Sequence, residues 1–164
     1  MKKYELTEET KVIGGKTLFR IRALRSFGDI KAGDLGGFIE NERNLSHEGN
    51  AWVSGDARVE ANARVDGDAR VDGDAWVDGN AQVSGDGLIN SNNDYLCEKG
   101  LGSHNRSASF FKCKDGHIHV LCGCFDGNLD EFENKVKKEH GNSKYAKEYL
   151  GFIEVVKTHF EVRQ

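Results

Sequence analysis

From Gly49 to Asn90 the chain reads GNAWVS, GDARVE, ANARVD, GDARVD, GDAWVD, GNAQVS and GDGLIN, seven hexads in unbroken register. One position is always aliphatic: Val53, Val59, Val65, Val71, Val77, Val83 and Ile89. A small residue stands two places before each later aliphatic: Ala57, Ala63, Ala69, Ala75, Ala81 and Gly87. A helix repeats its apolar face every 3.6 residues, so period six excludes one and fits a two-residue strand alternation broken by a turn in every hexad. Valine suits the inward strand position, and Gly-Asp or Gly-Asn supplies the turn conformations that other residues resist. One hexad cannot bury its own valine, so successive turns of chain must stack.

The motif Val-x-Gly-Asp/Asn-Ala-x resembles the hexapeptide repeat of left-handed β-helix proteins, in which three hexads make one coil of eighteen residues. The resemblance implies a short β-solenoid of about three coils over residues 33–90. Its register extends backwards through Leu35, eighteen before Val53, with Ile39 and Leu45 on small-residue positions. The opening YELTEETKVIGGKTLFRIRALRSFGDIKAGDLGGFIE, followed by such hexads, is similar to uncharacterised hexapeptide-repeat proteins of phages and prophages. That likeness implies a mobile-element origin, a bacterial cytoplasmic setting and no particular activity.

Open coil ends expose strand edges and need covering. Residues 1–32 read as an N-terminal hairpin cap, with Gly14-Gly15 as the turn and Phe19 and Ile21 on one strand face. Residues 91–164 form a separate α+β unit of order ββαα. Its hairpin turns at Asp115-Gly116 within SASFFKCKDGHIHVLCGCF. A helix begins at a capping box, Asn128 with Glu131, and stops at Gly141. A second helix from about Ser143 carries the stripe Ala146, Tyr149, Ile153, Val156 and Phe160.

Net charge is −4, and residues 49–90 hold three cations against eight acids. No dense basic stripe is present, so direct nucleic-acid binding is not expected. No segment approaches the roughly 18 apolar residues of a membrane helix, and the opening residues lack the pattern of a secretory signal. Stacked acids (Asp56 with Asp74, Asp68 with Asp86, Glu60 with Asp78) suit turns better than a calcium site.

Enzymes of the left-handed β-helix class are mostly acyltransferases that use a histidine base, with a zinc-dependent carbonic anhydrase branch that needs three histidines. Residues 33–90 contain one histidine, His47, so neither pattern is met. The four cysteines, Cys97, Cys113, Cys122 and Cys124, lack the paired Cys-x2–4-Cys spacing of structural zinc and read as core thiols. A two-residue turn at Asp115-Gly116 places Cys113 on the face opposite His117 and His119; a three-residue Lys114-Asp115-Gly116 loop would swap some faces but gives a less clean pattern. No metal and no cofactor are expected. Gly100–Arg106 lacks the lysine and spacing of a phosphate loop.

The residue before each aliphatic is expected to face outward. Eighteen-residue stacking puts Trp52 on Arg70 and Arg58 on Trp76, pairs suited to cation–π contact and to interfaces. The candidate partner- or subunit-binding residues are therefore Trp52, Arg58, Arg70 and Trp76, with Ser103, His104 and Arg106 from the irregular C-terminal loop. They imply a non-enzymatic binding or scaffold protein, self-associating as a homotrimer and acting on a host protein such as a defence component. The alternatives are a degenerate acyltransferase or other enzyme, and a protein that sequesters a nucleotide signal.

Overall fold

The computed structural model describes residues 1–162, and the chain divides into two compact units, Met1–Asn92 and Asn93–Gln164.

In the first unit, β1 (Tyr4–Ile13) and β2 (Lys16–Ala23) form the expected antiparallel hairpin, closing at Ile13 opposite Lys16. Gly14 and Gly15 both take positive φ, 58° and 80°, the conformation a two-residue hairpin turn demands. The β2 faces differ from the expected alternation. Pairing with β3 (Leu35–Ile39) shifts between Arg20 and Arg22. Leu18, Ile21 and Ala23 are consequently buried while Phe19 is only half-buried. An irregularity in the ladder switches which parity points inward.

The hexads supply seven two-residue strands: β4 (Trp52–Val53), β5 (Arg58–Val59), β6 (Arg64–Val65), β7 (Arg70–Val71), β8 (Trp76–Val77), β9 (Gln82–Val83) and β10 (Leu88–Ile89). Each pairs in parallel with the strand eighteen residues away, as in Trp52 with Arg70 and Arg58 with Trp76. All seven aliphatics, and every alanine at the small position, are at most 1% exposed. The hexad pattern therefore does set which side chains point inward.

The left-handed β-helix with a separate cap is not what these strands form. They fall into separate sheets: a mixed five-stranded one of order β1-β2-β3-β5-β8, a parallel β10-β7-β4 and a parallel pair β6-β9. The hairpin shares its sheet with two of the hexads. A period of six dictates where the chain bends and which residues it buries. It carries no information about which segments outside the hexads join their sheets.

The backward register is also corrected. Ile39 pairs with Val59 and Leu45 bridges to Val65, offsets of twenty. Ile39 and Leu45 are thus buried at the valine position, whereas Leu35 is exposed. Eight residues instead of six separate Leu45 from Val53, and the two extra residues enlarge the turn that carries His47.

The second unit is an antiparallel meander of order β11-β12-β13-β14 followed by two helices. The strands are β11 (Tyr95–Leu101), β12 (Arg106–Lys112), β13 (Ile118–Cys122) and β14 (Phe125–Asn128). Its order is ββββαα, not ββαα. The outer strands carry no local strand signal, because YLCEKGL lacks period-two alternation and FDGN has turn chemistry.

Helix α1 (Leu129–His140) starts at Asn128, whose side chain accepts from the Glu131 N–H while Glu131 accepts from the Asn128 N–H. It ends at Gly141, φ 52°. Helix α2 (Lys144–His159) is capped by Ser143. Its stripe, Ala146, Tyr149, Ile153 and Val156 with Phe160 just beyond, is buried against Ala108, Phe110, Val120 and Cys122 of the sheet. Among the described residues no helix is long and apolar enough to cross a membrane.

Candidate functional site

The seven predicted binding residues lie in two units and meet different fates. Trp52 is 1% exposed, so its outward placement is corrected. The indole is packed edge-on against Phe27 at 5.4 Å and Tyr4 at 6.3 Å. Arg70 pairs with Asp29 of the segment that follows β2, and that segment covers the column. Trp52 therefore offers no surface to a second subunit. Arg58 does stack over Trp76, its guanidinium carbon 4.7 Å from the ring centre. Lys11 and Arg20 lie over Phe38, which occupies the preceding place in the same column. This alternation of cation and aromatic is a ladder within the five-stranded sheet.

In the second unit Ser103 and His104 are exposed and bonded to each other, Oγ to Nδ1 at 3.0 Å. The loop that carries them does not offer its amides to an anion. The Gly102 N–H donates to the Glu148 carboxylate at 3.2 Å, and the Asn105 N–H to the Gly102 carbonyl. Arg106 is placed differently. It opens β12 opposite Leu101 and lines a cavity of about 120 Å³ with Cys122, Cys124, Phe125, Phe132, Lys135, Val136, Glu139, His140 and Tyr149.

Two glycines make this arrangement possible. A Cβ at Gly123, φ 62°, would run into the Arg106 guanidinium; a Cβ at Gly102, φ 70°, would run into the Tyr149 phenol. Both positions suit glycine on backbone grounds as well. The floor is apolar: Phe132 meets Phe125 at 5.0 Å and Tyr149 edge-on at 5.8 Å. His140 stacks on Tyr149 at 5.6 Å. Lys135 pairs with Glu139 at 3.3 Å. Among the described residues Arg106 has no ion-pair partner.

Burial pushes the Tyr149 hydroxyl up to about 12, with the neighbouring Cys122 acting in the same direction. Burial also raises the Cys122 thiol, against the smaller opposing effects of its bond to Tyr149 and of Arg106. Both groups are neutral at pH 7. A protonated thiol is a poor nucleophile, so the cavity presents a neutral phenol and thiol beside an exposed guanidinium rather than an activated sulfur. The sequence reading missed Cys122, Lys135, His140 and Tyr149 as site residues. The available signal was a tyrosine on a core stripe, whose hydroxyl needs a polar neighbour.

The first unit has a larger hollow, about 450 Å³, lined by Glu42, Arg43, Ser46, His47, Asn62, Arg64 and Gln82 among others. His47 stacks on Tyr4 at 4.2 Å. Its Nδ1 accepts the Lys3 backbone N–H at 3.2 Å, which leaves the ring proton on Nε2, 3.7 Å from the Glu42 carboxylate.

No family model matches the chain. It is 39% identical over 61 residues to the uncharacterized acetyltransferase YdcK of Escherichia coli strain K12, an alignment covering 32% of this chain and 19% of that protein. The chain thus spans about a fifth of the length of the curated relative it matches.

Proposed function

We propose that this is a non-enzymatic binding protein whose C-terminal unit docks a host protein through the Arg106 cavity. The observation that supports this is an exposed guanidinium without an ion-pair partner among the described residues, lying close over Gly123 at the mouth of a small cavity with an aromatic floor whose thiol and phenol are both neutral. At about 120 Å³ the cavity is below the usual range for a whole small-molecule ligand. It fits one anionic group, such as a carboxylate side chain, presented by a larger partner. Arginine is well suited to that geometry.

Immobilised full-length protein is expected to capture a bacterial protein from lysate, and Arg106→Glu to lose it while its melting profile is kept. Capture indifferent to Arg106→Glu sinks the reading. Phage or prophage origin and a homotrimer belong to the same proposal. The trimer should scatter light at about three times 18.2 kDa.

The acetyltransferase relative favours one second reading, acyl transfer with His47 as base. The geometry counts against it, because the lone pair such a base needs is already engaged by the Lys3 N–H. Incubation with an acetyl donor and amine acceptors is expected to show no turnover. Turnover abolished by His47→Ala would establish the second reading instead.

A further inference from the structure

We propose that Cys113, His117 and His119 form a transition-metal site suited to zinc. This does not depend on the Arg106 cavity. The site exists because the β12–β13 turn has three residues, the longer of the two turns the sequence allows. Lys112 pairs with Ile118, the Cys113 N–H donates to the His117 carbonyl at 3.0 Å, and the Gly116 N–H donates to the Cys113 carbonyl at 2.9 Å. Lys114, Asp115 and Gly116 therefore form a three-residue loop, with Gly116 at φ 89°. Three-residue hairpin loops commonly place glycine there. One residue of slip moves a side chain to the other face. Cys113 now shares its face with His117, His119 and Phe111, and the last two rings lie 5.3 Å apart. The expected separation of the cysteine from both histidines is corrected.

The hydrogen bonds around the two imidazoles point to a cation between them. His117 Nδ1 lies 2.5 Å from Asp115 Oδ1, and His119 Nε2 lies 2.6 Å from Asp126 Oδ1. A carboxylate only accepts, so each of these outer nitrogens carries the ring proton. In a neutral imidazole the remaining nitrogen is then a bare acceptor. The two remaining nitrogens, His117 Nε2 and His119 Nδ1, face each other at 3.3 Å. Bare lone pairs at that distance repel, and a metal ion bound to both removes the conflict.

The spacing is right: two nitrogens held tetrahedrally at about 2.0–2.1 Å from zinc lie about 3.3 Å apart. Cys113 offers a third donor, with all three ligand atoms within 4.8 Å of one another. Closing the sulfur to a bonded position takes about 1 Å of side-chain movement, given a zinc–sulfur bond of about 2.3 Å. One thiolate and two imidazoles are a donor set for zinc rather than for calcium or magnesium. The fourth position is left to water. Asp115 and Asp126 stand as the outer carboxylates that orient metal-bound histidines.

The test uses the full-length, tag-free, reduced protein after chelator treatment, titrated with cobalt(II) and then zinc(II). One equivalent of cobalt should produce tetrahedral d–d absorption with a thiolate-to-cobalt charge-transfer band, and one equivalent of zinc should remove both. Cys113→Ser should abolish the charge-transfer band, while Cys97→Ser leaves it intact. Asp126→Asn should weaken binding by about 10–100-fold. Absence of the bands from the folded wild-type protein overturns the proposal and leaves a shared proton between the histidines. A charge-transfer band that survives Cys113→Ser, or is lost in Cys97→Ser, overturns it equally.

Discussion

The ammonium of Lys3 donates to the backbone carbonyl of Ala51 at 2.7 Å, inside the protein. A second carbonyl, that of Glu48, lies at 3.4 Å, and the Phe27 ring centre at 5.0 Å. The contact ties the start of the chain to the start of the hexads, closing the enlarged turn that carries His47. A buried lysine is costly unless its donors are satisfied, and here backbone carbonyls do that work.

The burial of Lys3 has a pH signature. Desolvation, aided by Arg25 and Arg70, lowers its pKa from the ordinary 10.5 to about 8. Below pH 8 both folded and unfolded chains hold the proton. Between about 8 and 10.5 the unfolded chain holds more, so stability rises with pH across that window. Above pH 10 Tyr4, whose burial keeps it protonated when folded, acts in the opposite sense. Both tryptophans, Trp52 and Trp76, lie in the first unit, so indole fluorescence reads this unit alone. The urea midpoint by fluorescence should rise from pH 7.5 to 9.5, and Lys3→Met should flatten the rise. An equal slope in the variant would remove Lys3 as its source.

The two tryptophans should lose very different amounts of stability on truncation. Trp52→Ala empties a fully buried site and should cost about 3–5 kcal/mol. Trp76 is half-buried and contributes mainly its stack under Arg58, so Trp76→Ala should cost about 1 kcal/mol. Comparable losses in urea titration of the two variants would contradict the assignment of Trp52 to the core.

Six hexad turns place glycine at φ 55–65°, and the third hexad places Ala61 there at φ 57°. An L-residue in this region is disfavoured by roughly 1–2 kcal/mol, partly offset by the greater chain entropy of glycine when unfolded. Ala61→Gly should therefore stabilise the first unit by about 0.5–1 kcal/mol. The backbone N–H bond from residue 61 to Glu40, 2.6 Å long, is kept in the variant, so unchanged or lowered stability would show that the Ala61 methyl outweighs the strain.

Gly102→Ala should destabilise the second unit, because the added carbon meets the rigid Tyr149 ring at a backbone conformation that favours glycine. A loss of about 2 kcal/mol is expected, read as earlier loss of helical circular dichroism with the tryptophan transition unmoved. Asn128→Ala should act on the same signal by about 1 kcal/mol, through loss of the cap. A Gly102→Ala protein as stable as wild type would mean the Tyr149 phenol is not held where the cavity requires it.

Inward positions were legible wherever local chemistry decides them. The valines and alanines of the hexads, the Gly14-Gly15 turn, the Asn128 capping box and the α2 stripe each follow from spacing and residue type alone. Those signals need no knowledge of distant chain. The cavity was only partly legible. Arg106 was singled out from an irregular loop, but nothing local announces that Lys135, His140 and Tyr149, 29 to 43 positions later, come to lie beside it.

What the sequence determined by itself was the side of the chain each hexad residue takes and the places where helices start and stop. Tertiary structure decided the rest. It joined the hairpin to the hexads in one sheet, buried Trp52 beneath the segment around Phe27, and added one residue to the β12–β13 turn. Each of these depends on register between segments. Register is set by packing and backbone pairing summed over many residues, so a one-residue difference between two locally allowed turns was enough to carry Cys113 to the histidines.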